Sequence, residues 1–267
     1  MPQEIPIYQV DAFAFDVFTG NPAAVCPLKE WLPDATMQRI AEENNLAETA
    51  FFVREAEGLR IRWFTPAVEV RLCGHATLAS AYVYLRHFEP SSGEVVFFSA
   101  SGPLPVRRSG DLLVLDFPAS TAPTSSRIPE TLIEALGTNP LELRQGEDWL
   151  VVLPSEKEIR ELRPDMRKLA ALEARGVIVT AKGKECDFVS RVFVPRAGID
   201  EDHATGSAHT LLIPYWAERL GKRELVARQL SPRGAELFCT DRGDRVGIGG
   251  RVFPYLEGTI TIPDAAS

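Results

Sequence analysis

Two stretches of this 267-residue chain are written to nearly the same plan. Arg62-Trp63-Phe64-Thr65-Pro66 leads to Gly74-His75-Ala76 and an apolar helical run through Leu85. Arg191-Val192-Phe193-Val194-Pro195 leads to Gly206-Ser207-Ala208 and a second run through Leu220. Each reads as a strand, a Pro-ended turn, a polar loop and a helix headed by glycine. A duplicated unit of this length predicts two pseudo-symmetric lobes. Each lobe then presents a helix N-terminus, where free N–H groups and the helix dipole favour an anion.

The remaining pattern predicts many strands and few helices. Residues 5–18 alternate and then run apolar, Gly20-Asn21-Pro22 is a turn, and 23–26 form a return strand. Helices are predicted over 33–45, 74–86, 129–136, 163–174 and 206–220, with Ser101-Gly102-Pro103 as a turn. Residues 225–262 read as an antiparallel meander. Segregated helices among antiparallel strands give an α+β class rather than a doubly wound one. The Pro/Ser-rich stretch 118–126 divides the chain into an N-terminal lobe (1–118) and a C-terminal lobe (119–257), with the last strand (about 258–267) returning to the first.

Composition narrows the function. A net charge of -8 without a Lys/Arg cluster argues against nucleic acid. No apolar run long enough for a membrane span and no signal-like leader is present, and four cysteines at unpaired spacings fit a reducing, cytoplasm-like compartment. Lacking Cys-x-x-Cys and His-x-x-x-His, the chain is expected to hold no structural metal.

Several residues carry candidate chemistry. Glu48 stands between a helix end and the apolar Phe51-Phe52, where burial would make it a general acid/base; on local sequence alone a helix-end or surface glutamate fits better. His75 and Ser207, each after the helix-heading glycine, suit substrate binding or protonation. Asp202, in the run Asp200-Glu201-Asp202-His203, is either a helix-end cap or a partner holding the proton of His75. Cys73 precedes Gly74, but Thr205 precedes Gly206, so two paired thiols are excluded. A Ser–His–Asp acyl-transfer triad is disfavoured by the missing Gly-x-Ser-x-Gly elbow.

Gly20-Asn-Pro-Ala-Ala-Val25, Asn45-Leu-Ala-Glu-Thr-Ala-Phe51, Arg62-Trp-Phe-Thr-Pro66, Leu72-Cys-Gly-His-Ala-Thr77, Glu201-Asp-His-Ala-Thr-Gly-Ser-Ala-His209 and Ser231-Pro-Arg-Gly234 together resemble the PhzF-like phenazine-biosynthesis family, related to diaminopimelate epimerase. The resemblance implies two α+β lobes of the diaminopimelate-epimerase type, each a curved sheet around a central helix, with a site in the cleft between them. It implies a cofactor-free isomerase, a homodimer, acting on a small carboxylated substrate. Glu48 would move a proton between carbons, with His75 and Asp202 beside it, and Gly74, Thr205, Gly206 and Ser207 would hold the substrate. Ala47, Arg71 and His203 depart from the residues frequent at their positions, and Arg71 and His203 are candidates for altering specificity. The alternative is a non-catalytic binding protein on the same fold, which would be marked by loss of Glu48 or His75. Both are present.

Overall fold

The computed structural model describes residues 2–262. The chain forms two compact units: residues up to Asp116 with the return from Gly249, and Phe117–Ile248. The first carries β1 (Gln3–Ala14), β2 (Asn21–Leu28), α1 (Asp34–Asn44), β3 (Glu48–Glu55), β4 (Gly58–Phe64), β5 (Glu69–Val70), α2 (Gly74–His87), β6 (Glu94–Ser99), β7 (Gly102–Ser109) and β8 (Leu112–Pro118). The second carries α3 (Glu130–Leu136), β9 (Glu142–Gln145), β10 (Asp148–Val152), α4 (Glu156–Glu161), α5 (Met166–Ala170), β11 (Gly176–Lys182), β12 (Phe188–Val194), β13 (Ile199–Asp202), α6 (Gly206–Leu220), β14 (Glu224–Gln229) and β15 (Ala235–Asp241). The long β16 (Arg245–Ile262) begins there and runs on into the first.

In the first unit the strands follow one another as β1-β2-β3-β4-β6-β7-β8-β16, and β1 also pairs with β16, so the sheet closes on itself. Most neighbours are antiparallel. The exceptions, β2–β3 and β4–β6, are parallel because α1 and α2 form the crossovers that parallel neighbours need. Helix α2 touches β1, β2, β3, β6 and β7. It is buried from Gly74 to Ala81 and again at Val83–Leu85. A helix apolar or small all round belongs inside a core, and Ala76, Ala79, Ser80 and Ala81 keep it slim enough to sit there. The fold is α+β, with a mostly antiparallel sheet wrapped on a central helix.

In the second unit the order is β16-β15-β14-β12-β11-β10-β9, with β13 on the edge of β12. Helix α6 packs on β10, β14 and β15. A separate apolar cluster joins Leu132 and Leu136 of α3, Ile159 of α4 and Leu169 of α5 to Leu143, Val151, Val179 and Val189.

Three sequence expectations are corrected. The meander over 245–262 is one strand, and the return to the first unit starts at Gly249 rather than near 258; the last five residues of the expected 258–267 strand lie outside the described ones. At Gly250, inside this strand, a Cβ would stand 2.4 Å from a ring carbon of Phe13, so the glycine serves close packing. α4 ends at Glu161, and beyond Pro164 the short α5 is all that forms of the helix expected over 163–174. Ser155 caps the first by accepting from the Glu158 N–H, and Asp165 caps the second by accepting from Arg167 and Lys168 N–H. Of the turn expected at Ser101-Gly102-Pro103, Gly102 and Pro103 instead open β7, in which Leu104 and Val106 alternate into the core. Among the described residues no helix is long and apolar enough to cross a membrane.

Candidate active site

The duplicated pattern is structural, and deeper than the sequence shows. In the first copy Arg62 of β4 forks onto Glu69 of β5, Nε to Oε1 and Nη2 to Oε2, both at 2.7 Å. In the second, Arg191 of β12 forks onto Glu201 of β13, both bonds at 2.8 Å. The register agrees, since Phe64 faces Glu69 and Phe193 faces Glu201. Each glutamate lies five residues ahead of the helix-heading glycine, so the ion pair pins the short return strand that delivers the helix. One turn into each helix a side chain bonds the carbonyl of the residue before that glycine. Thr77 Oγ1 donates to the Cys73 carbonyl in α2, and His209 Nδ1 to the Thr205 carbonyl in α6. Cys73 and Thr205 are both extended, and neither helix start is capped by a side chain. The first-turn N–H groups have no intrahelical partner and no side-chain cap.

The two copies differ in the chemistry they carry. In the first unit, β2 lies between β1 and β3, with Ala23 of β2 opposite Glu48, the first residue of β3. Helix α2 lies over β2, which brings Asn21, Glu48 and His75 together. His75 Nε2 is 2.9 Å from Glu48 Oε2, with both side chains largely buried. On the other side of the ring, Asn21 Nδ2 is 3.1 Å from Nδ1. With the ring neutral and Asn21 donating, Nδ1 accepts and the one ring proton sits on Nε2; once the ring is protonated both nitrogens donate, and the Asn21 amide turns its oxygen to Nδ1. The Cys73 sulfur is 3.6 Å from Nδ1. Burial, with Glu48 adding to it, pushes the Cys73 thiol up, so it stays protonated at neutral pH. Burial pulls the His75 imidazole down. Cys73 and Glu48 beside it outweigh that and hold it well above its ordinary value.

In the second unit Asp202 is tied into the loop ahead of α6. Its Oδ2 accepts from Thr205 Oγ1 at 2.6 Å. Gln229, at the end of β14, fixes both residues: its Oε1 accepts from the Thr205 N–H, while its Nε2 donates to the Asp202 carbonyl and to Thr205 Oγ1. Ser231 Oγ donates to the His203 carbonyl, so Ser231-Pro-Arg-Gly234 anchors the loop before α6. Ser207 is half-buried at the first turn, directly after Gly206.

The structure thus brings Glu48, Gly74 and His75 together in one unit and Asp202, Thr205, Gly206 and Ser207 in the other. Two residues escaped the sequence reading. Asn21 was read as a turn residue, though it opens a strand that is buried from Asn21 to Pro27, and a polar side chain there needs a partner. Gln229 ends a strand whose inward face is otherwise apolar and is itself fully buried.

Residues 10–251 match the model of the phenazine biosynthesis-like protein family, PhzC-PhzF. The chain belongs to that family. An uncharacterized isomerase of Pseudomonas aeruginosa is 52% identical to it over 257 residues, covering 96% of this chain and 99% of the relative. A solved PhzF-family structure from Enterococcus faecalis superposes with a TM-score of 0.94 at 46% identity, covering 97% of this chain and 99% of that one. A hydroxyproline epimerase from Agrobacterium vitis shares the fold alone: TM-score 0.61 at 10% identity, covering 98% of this chain and 93% of that one. This family member is an isomerase, and its fold is of the epimerase type.

Proposed function

We propose that the protein isomerises a small carboxylated substrate by moving a proton between carbons, with Glu48 as the general acid/base. The observation that supports this most directly is the largely buried Glu48–His75 contact at 2.9 Å. A carboxylate shielded from water and held by a neighbouring imidazole can take a proton from an acidic C–H and return it at another carbon of the same face. His75 orients the carboxylate. Asn21 in turn orients the ring, so the pair stays aligned through both half-steps. The uncapped first turn of α2, beginning at Gly74, offers N–H groups to the substrate carboxylate and to the negative charge that develops when the C–H bond breaks. Asp202, Thr205, Gly206 and Ser207 are assigned to holding the substrate's other polar groups. No cofactor enters this scheme, because carboxylate-assisted enolisation supplies the proton transfer by itself.

Two paired thiols play no part. Thr205 occupies in the second copy the extended, helix-heading place that Cys73 has in the first. The test is isomerisation in D2O over a panel of cyclic and amino-acid carboxylates, read by mass spectrometry and NMR. The reading predicts turnover without added metal or nucleotide and deuterium at the carbon that gains the proton. Isomerisation that leaves every C–H bond unbroken would overturn it.

A further inference from the structure

The proposed proton transfer leaves the Cys73 thiol without a task, although it completes a compact set of donor atoms. Cys73 Sγ is 3.6 Å from His75 Nδ1 and 4.0 Å from Nε2, and Nε2 is 2.9 Å from Glu48 Oε2. One donor atom from each of Glu48, Cys73 and His75 lies within 4.8 Å of the others. Tetrahedral zinc with bonds of about 2.0–2.3 Å places its ligand atoms roughly 3.2–3.6 Å apart. The Nε2–Oε2 gap would open by a few tenths of an ångström, while Sγ, now nearly equidistant from the two ring nitrogens, would swing toward the Nε2 edge by rotation about the Cys73 Cα–Cβ bond.

We propose that Glu48, Cys73 and His75 form a binding site for one thiophilic divalent cation, best matched by Zn2+. The donor set favours that class: sulfur and imidazole nitrogen suit zinc, whereas magnesium and calcium select oxygen. Three protein ligands leave a fourth position open, as in exchangeable rather than closed structural sites. Burial keeps a proton on the thiol, and a coordinating cation displaces it outright. Asn21 provides the outer support. With its amide turned over, its oxygen accepts from Nδ1–H of a ring ligated through Nε2, the partner that metal-bound histidines usually have. The ion would occupy the place of the proton between Glu48 and His75, so loading and isomerisation exclude one another. That consequence rests on the proposed function; the binding itself does not.

The test uses the full chain titrated with Co2+, read by the thiolate-to-cobalt charge-transfer absorbance, followed by displacement with Zn2+. One saturable ion per chain is expected, with the band lost in Cys73→Ser and retained in Cys186→Ser, the half-buried thiol of the second unit. Glu48→Gln should weaken binding at least tenfold, and this variant carries the test if Cys73→Ser fails to fold by circular dichroism. Absence of a saturable band, a band that survives Cys73→Ser, or unchanged affinity in Glu48→Gln overturns the site. Because no substrate is needed, failure here is separable from failure of the proposed isomerisation. Saturated protein that still turns over would overturn the mutual exclusion.

Discussion

His209 makes the protein's stability depend on pH in a way that can be worked out in advance. It lies one turn into α6, fully buried, against Phe188, with Nδ1 donating to the Thr205 carbonyl at 2.9 Å and no hydrogen-bond partner for Nε2. Burial lowers its pKa from 6.5 to about 4, opposed only by the bond to Thr205. The native state therefore keeps it neutral down to about pH 4, while the unfolded chain protonates it near 6.5. Between those values the unfolded state binds the extra proton, so stability falls as pH falls. The slope is about 1.4 kcal/mol per pH unit in that window, and integrating from about pH 7.5 to about 4.5 gives a loss of roughly 2.5 kcal/mol from this one group. Below about pH 4 the native ring protonates too and the slope ends. The perturbation is His209→Asn, which keeps a donor near the Nδ1 position and does not titrate. Urea unfolding of both proteins across that range gives the difference in stability at each pH, cancelling the titrations they share. Whatever the variant loses in packing at neutral pH, the gap between the two should shift in its favour by about 2.5 kcal/mol on acidification. Parallel pH dependences would refute the reasoning.

Other perturbations follow from the scaffold of the site. Glu201→Gln leaves Arg191 buried with half its fork unmatched, because its other bonds go only to the Ile159 and Leu162 carbonyls. A loss of about 3–5 kcal/mol is expected by denaturant titration, as for other broken buried pairs. Gly20→Ala would combine a left-handed φ of 71° with a Cβ only 2.3 Å from the Ala12 carbonyl oxygen, whereas Gly137→Ala has a similar φ of 67° and open space around it. The second should cost about 1–2 kcal/mol, the penalty of the conformation alone. The first should cost clearly more and displace Asn21 from His75, visible as a changed His75 imidazole resonance. Equal costs would show that the close approach at Gly20 is relieved without strain.

The sequence pattern was most legible where a feature recurs. The two glycine-headed helices, the strands ahead of them and the candidate residues His75, Asp202 and Ser207 stand out from local spacing, while Glu48 stands out only through the family resemblance. What stayed hidden depends on contacts between distant segments. The forks from Arg62 to Glu69 and from Arg191 to Glu201 join residues that local reading takes for surface or capping charges. Asn21 meets His75 across 54 positions, and Gln229 meets Thr205 across 24. Both looked like ordinary turn or strand residues because burial, not residue type, gives them their task. The break between α4 and α5 was readable in principle from Pro164 with Ser155 and Asp165 as caps. Strand β7 was not, since prolines at 103 and 105 argue against a strand that its neighbours nonetheless impose.

The most direct measurement compares the wild-type protein with Glu48→Gln, using the first carboxylated compound found to gain solvent deuterium. Glutamine keeps the size of the side chain beside His75 but cannot take up the proton. Exchange should fall by about 10²–10⁴-fold, the usual contribution of a positioned acid/base group, while substrate affinity stays close to wild type. Deuterium incorporation within a few-fold of wild type in that variant would contradict Glu48 as the group that moves the proton.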